Sequence, residues 1–203
     1  IGLPDLIHTP AVVGRGDPLE LIGPPGIGAM ARHLTAAFAV DERVRSAGKG
    51  PGAMRGYRVD AREVEPGVVL DRNGVRVTAF AVDHGSFEHA YGYRFDTRDR
   101  SIVISGDTAP TDAVVEACDG CDVLVHEVYC HAGWASGPPS WREYHTSFHT
   151  STRELAALAE RARPGLLVLT HLLHFGCSDA ALLAEITDRY DGEVVLPVDG
   201  EVL

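Results

Sequence analysis

The sequence predicts a mixed α/β domain, and three observations carry that reading. Apolar residues recur at helical spacing in three segments. Short β-rich runs crowd the middle of the chain around an Asn73-Gly74 hairpin signal. From Ser101 onward, strand-like and helix-like segments alternate.

The elements follow in order. Leu19 to Ile22 is a short strand closed by the turn Gly23-Pro-Pro-Gly26. Ile27, Met30, Leu34 and Phe38 mark one face of a helix. Residues 46–56 carry four glycines and a proline and read as a loop. Strands are expected at 57–64, 68–71, 75–82, 91–95 and 101–105. A helix at 110–117 has Pro110 in its first turn, and a strand follows at 123–128. Ser151-Thr-Arg-Glu154 matches a capping box for a helix with Leu155, Leu158, Ala159 and Ala162 inward. Leu166 to Leu169 is a buried-type strand. Ser178 opens a last helix with Leu182, Leu183, Ile186 and Tyr190 inward, and short strands at 193–196 and 198–202 end the chain. The connection 129–150 holds Trp134, Trp141, Tyr129, Tyr144 and three histidines, and reads as a lid or binding loop.

Composition narrows the classes. The 203 residues are 45% apolar with mean hydropathy −0.02, which suits one folded domain, or at most two small ones, and excludes a disordered or collagen-like chain. No apolar run reaches the roughly 20 residues that span a bilayer, and no leader pattern is present at the start. A net charge of −11 opposes non-specific binding of a polyanion. Cys118, Cys121, Cys130 and Cys177 are too few for a disulfide scaffold, so reduced thiols and a cytoplasmic protein are expected.

Three expected strands end in a metal-ligand type of residue: His84 after Ala81-Val-Asp, Asp107 after Ile104-Ser-Gly, and His171 after Val168-Leu-Thr. Ligands gather beyond strand ends in such sheets, and imidazole with carboxylate suits Zn²⁺, Mn²⁺ or Fe²⁺. His126 and Glu127 either orient such ligands or merely close their strand. His145 and His149 precede the capped helix and are either a general acid or helix-entry residues. His89 and His174 sit near the proposed ligands, whereas His8, His33 and His131 read as surface or packing residues.

Together these segments resemble the metallo-β-lactamase-fold hydrolases, in the branch with ribonuclease Z, phosphodiesterases and arylsulfatases. Gly23-Pro-Pro-Gly26 is similar to that branch's GP-x-G turn. Val82-Asp-His-Gly85 with Tyr91-Gly-Tyr-Arg94 is similar to its strand-end His and GYR strand. Ile104-Ser-Gly-Asp-Thr108, Asp122-Val-Leu-Val-His-Glu127, His149-Thr-Ser-Thr152 and Leu169-Thr-His171 resemble its SGDT, HE, HST and LTH motifs, in order.

The resemblance implies an αββα sandwich over 1–203 with two divalent metals, zinc foremost and manganese or iron also suitable. It implies His84 on one metal, His171 on the other, Asp107 bridging both, a bridging hydroxide as nucleophile, and His149 as proton donor, with His145 as the alternative. The family's HxHxDH signature, which supplies four further ligands just before a segment like Ile1-Gly-Leu-Pro-Asp5, is not in these residues. The expectation is therefore a domain lacking the N-terminal part of its first sheet, with weak metal binding and pairing of copies into a homodimer through the uncovered edge.

Transfer RNA is disfavoured as a substrate, because only the hairpin turn Phe95-Asp-Thr-Arg-Asp-Arg100 stands where bacterial ribonuclease Z carries its long arm. A small ester is expected: a phosphodiester first, otherwise a sulfate ester or a lactone, with Trp134 and Trp141 stacking on an aromatic part. A non-catalytic fragment is the rival reading.

Overall fold

The computed structural model describes residues 2–48 and 54–202; part of the loop expected at 46–56 lies outside them. The chain forms two compact units, residues 1–65 and 66–203.

The first unit contains α1 (Leu3–Val12), β1 (Leu19–Gly23), α2 (Ile27–Ala37), α3 (Ala39–Ser46) and β2 (Val59–Glu63). β1 and β2 pair in parallel, with the two helices in the connection. Gly26 has φ +96, which lets the Gly-Pro-Pro-Gly turn deliver α2, and Glu63 on β2 accepts from the Gly26 and Gly28 N–H groups at its N-terminus. α1 is a helix that the sequence reading left unassigned; it starts with proline in its first turn. The helix expected from Ile27 stops at Ala37, and a second one starts after Phe38. His8 is a packing histidine, its ring 4.2 Å from that of Phe38 and its Nδ1 3.5 Å from the buried Glu42 carboxylate.

The second unit is built on a seven-stranded sheet in the order β3 (Gly67–Arg72), β4 (Val75–Ala81), β5 (Tyr91–Asp96), β6 (Ser101–Ile104), β7 (Val123–Tyr129), β8 (Leu166–Leu173), β9 (Val194–Val195). β3 to β6 pair antiparallel and β6 to β9 parallel. Asn73 and Gly74 both have positive φ, as a two-residue hairpin turn requires. The helices α4 (Asp112–Cys118), α7 (Thr152–Ala162) and α8 (Asp179–Thr187) occupy the parallel half's connections. Val114, Leu155, Ala159, Leu182 and Ile186 on these helices and Val103, Leu124 and Leu167 on the strands are wholly buried in one cluster. The capping box at Ser151 and Glu154 is formed on both sides.

Three expectations are corrected. The 129–150 connection is helical: α5 (His131–Ala135) and α6 (Pro139–Phe148), the second opened by Pro139 at its start. No strand forms at 198–202, where Val198 and Val202 are exposed and find no sheet to pack on. The cysteines are paired, Cys118 with Cys121 and Cys130 with Cys177. The left-handed Asp119-Gly120 turn brings the first pair's Cα atoms to 4.7 Å, and folding brings the second to 6.4 Å, both within disulfide reach.

Candidate active site

β4 and β6 both run antiparallel to β5, and β6, β7 and β8 run parallel. Their C-terminal ends therefore meet at one edge of the sheet, which is where α/β sheets place their ligands. Each end is bent to aim a side chain. Gly106 has φ +67, and a Cβ there would come within 3.1 Å of the Tyr91 carbonyl, so Asp107 follows a turn that favours glycine. On β8 the register moves from Glu127–Thr170 to Val128–Leu172, which leaves His171 as the extra residue of a bulge. His171 has φ +44, a left-handed conformation disfavoured for a side-chain-bearing residue, held by the ladder on either side.

Glu127, fully buried on β7, joins these ends. Its Oε1 accepts from the backbone N–H of Thr108 at 3.2 Å, from that of Thr150 at 3.1 Å and from His149 Nδ1 at 3.2 Å. The Thr150 hydroxyl donates to the Thr108 carbonyl at 2.7 Å, and the Asp83 N–H donates to the Thr108 hydroxyl at 3.2 Å. One carboxylate and two threonines thus lock the turns after β4 and β6 to the segment that enters α7.

Asp107, His149 and His171 converge, with one ligand atom from each within 4.8 Å of the others. Asp107 Oδ2 lies 3.7 Å from His171 Nε2, and the rings of His149 and His171 are stacked at 5.5 Å. His84 stands beside this group rather than within it, its ring 5.4 Å from that of His149. His84 Nδ1 meets the Phe148 carbonyl at 2.8 Å; a carbonyl only accepts, so Nδ1 is the donor and Nε2 is the nitrogen left to serve as a ligand. The Glu127 carboxylate likewise orients the His149 ring through Nδ1. The donor set fits a divalent cation, being imidazole nitrogens fixed by outer partners together with a carboxylate.

The other sequence candidates fall around this group. His145 lies 5.9 Å from His149, and burial, then the neighbouring His149, lowers its pKa. His126 is fully buried, with Nδ1 2.6 Å from the Glu127 carbonyl and burial holding it neutral. Its Nε2 and the second Glu127 oxygen find no hydrogen-bond partner among the described residues. His174 is turned to Asp179 at 2.7 Å, at the start of α8. Trp134 donates to the Arg142 carbonyl and packs on Tyr129 and His131. Trp141 packs on His145 and Phe175. Sequence reasoning missed Thr108 and Thr150, although both stand inside the motifs it used, and it missed Phe87 and Phe148 beside His84.

A family model described as a beta-lactamase superfamily domain matches residues 1–172. The ribonuclease Z of Mycobacterium sp. (strain KMS) is 35% identical over 173 residues, covering 84% of this chain; the chain spans 60% of that relative's length. Human tRNase Z, short form, shares the fold with a TM-score of 0.67 at 20% identity, covering 100% of this chain and 73% of its own. The metallo-beta-lactamase fold protein YhfI of Bacillus subtilis aligns with a TM-score of 0.61 at 21% identity, covering 95% of this chain and 78% of its own. Motif order, strand-end geometry and these matches agree: the chain belongs to the metallo-β-lactamase superfamily.

Proposed function

We propose that this chain is the hydrolytic domain of a metal-dependent phosphodiesterase. The observation that carries the reading is the convergence of Asp107, His149 and His171 over a buried Glu127. In this reading Asp107, His171 and His84 hold two divalent cations, zinc foremost and manganese or iron as alternatives. Bound cations of this kind supply Lewis-acid polarisation and acidify a coordinated water.

The chain's own residues do the rest. Asp107, on its glycine turn, fixes the spacing at the centre. The Phe148 carbonyl orients His84. His149 holds a proton at Nε2, stabilised through Nδ1 by the Glu127 carboxylate, and passes it to the departing oxygen. His149 takes this role ahead of His145 because it lies in the three-residue group and His145 does not. Burial of Glu127 and His149 keeps water from competing for that dyad.

A small diester fits the four-residue β5–β6 turn and the net charge of −11. RNA is the second reading, favoured by the 35% identity to a protein named ribonuclease Z. The sequence also points to a cytoplasmic homodimer; thiol titration of protein purified under argon tests the compartment against the paired cysteines, and sedimentation tests the dimer. Among the described residues no helix is long and apolar enough to cross a membrane.

The test is a substrate panel on the full-length protein: bis(p-nitrophenyl) phosphate, p-nitrophenyl sulfate, a lactone and a 3′-extended transfer RNA. Turnover of the phosphodiester, lost about 10²–10⁴-fold in His149→Ala, supports the reading. Turnover confined to the sulfate or lactone, unchanged turnover in His149→Ala, or none at all overturns it.

A further inference from the structure

Four ring-bearing residues of α6, Trp141, Tyr144, His145 and Phe148, are spaced i, i+3, i+4, i+7 and share a face. They divide by what they touch. Trp141 and His145 pack on Phe175, at 4.4 and 4.8 Å between ring centres. Phe148 meets His84 edge-on at 5.1 Å and lies parallel to Tyr144 at 4.5 Å. From the other side Phe87 stacks on His84 at 5.0 Å and stands 6.4 Å from Phe148. Yet Phe87 is 62% and Tyr144 55% exposed, two large rings left in water, the first against His84 and the second against Phe148. Gly85, at φ +56, makes the arrangement possible, since a Cβ there would lie 2.2 Å from the Phe148 ring. A cleft of about 600 Å³ is lined by Asp83, Gly85, Ser86, Tyr144, Ser147 and Phe148.

We propose that Phe87, Phe148 and Tyr144 form a subsite that stacks a planar aromatic group joined to the phosphorus by an ester linkage, either a nucleobase on its sugar or an aryl group. The proposal rests on the phosphodiester reading of the adjacent site. Spacing supports it: Phe148 directly precedes His149, and the His84 ring lies about equally far from Phe87 and from His149. The tryptophans expected for this role are occupied. Trp134 is covered by Tyr129, His131 and the Arg142 guanidinium 5.6 Å from its ring, and Trp141 by Phe175, His145 and the backbone at Gly137.

The test uses 2-aminopurine riboside 5′-monophosphate, whose fluorescence is quenched by stacking, on the metal-loaded full-length protein. Unlabelled p-nitrophenyl phosphate and ethyl phosphate serve as competitors. The expected result is saturable quenching, displaced by p-nitrophenyl phosphate at about tenfold lower concentration than by ethyl phosphate, as base–aromatic stacking implies. Phe87→Ala and Tyr144→Ala should each weaken binding about tenfold, with Phe87→Tyr and Tyr144→Phe restoring it. Tighter binding of the nucleotide than of the nitrophenyl ester identifies the ring as a base; the reverse order identifies an aryl group. Equal displacement by the two competitors, or unchanged affinity in both alanine variants, overturns the subsite. Turnover of bis(p-nitrophenyl) phosphate is read in the same samples. Stacking without turnover sinks the hydrolytic reading alone, and turnover without stacking sinks the subsite alone.

Discussion

Replacing Glu127 should cost more stability than any exposed carboxylate of this chain, and the amount can be worked from its partners. One oxygen accepts from three N–H donors, those of Thr108, Thr150 and His149, in a wholly buried setting. Removing it in Glu127→Ala strands all three, at about 1–3 kcal/mol for each buried donor left without an acceptor. The expected loss is therefore roughly 3–9 kcal/mol, before any term for the cavity. Glu127→Gln keeps an oxygen that can accept but removes the charge. Charge-assisted bonds are about twice as strong as neutral ones, so the loss should be nearer 1–2 kcal/mol. Urea unfolding followed by Trp134 and Trp141 fluorescence reads both values from the midpoint at constant slope. A Glu127→Ala protein within about 1 kcal/mol of the parent would refute the account of Glu127 as the tie between the strand ends.

Other outcomes follow from the same geometry. Burial lowers the His126 pKa, so as pH falls through the ordinary imidazole value of 6.5 the unfolded chain gains a proton that the folded one refuses. Its contribution is intact above that pH and is lost below it, by about 1.4 kcal/mol at one unit lower. Between pH 7.5 and 5.5 the parent should lose about that much more stability than His126→Leu. Gly85→Ala should destabilise by roughly 1–3 kcal/mol, because its Cβ meets the Phe148 ring at a positive φ; an unchanged melting temperature would contradict the packing described. Ser151→Ala removes the capping box of α7 and should cost about 1 kcal/mol in the same assay, with Ser151→Thr, which keeps the hydroxyl, closer to the parent.

The parts legible in the sequence were those encoded locally. The Asn73-Gly74 hairpin, the capped α7 and the alternation of β6 to β8 with helices follow from turn chemistry and periodicity. Asp107 and His171 were legible because each follows a β-rich run, and His149 because it enters a capped helix. The bulge that aims His171 was not, since a bulge is a mismatch between two strands and leaves no mark on one. α6 is hidden in the sequence because the preceding Gly-Pro-Pro signals a loop, while the i, i+3, i+4, i+7 spacing from Trp141 to Phe148 is carried by aromatic and histidine rings rather than aliphatic residues. The cysteine pairing depends on Cα approach across β7 and the segment before α8, which a count of cysteines does not contain. The role of Glu127 was open because a buried carboxylate is justified only by donors that arrive from Thr108 and Thr150, distant in sequence.

The central claim is that Asp107 anchors a metal-dependent phosphodiesterase site. The most direct measurement is turnover of bis(p-nitrophenyl) phosphate by the full-length protein, chelator-stripped and then reloaded with zinc or manganese, in parent and Asp107→Ala. The account predicts activity that disappears with the chelator, returns with the metal, and falls at least about 10²-fold in the variant, as expected when a metal-holding carboxylate is removed. Equal turnover in Asp107→Ala, or turnover indifferent to the chelator, would contradict it.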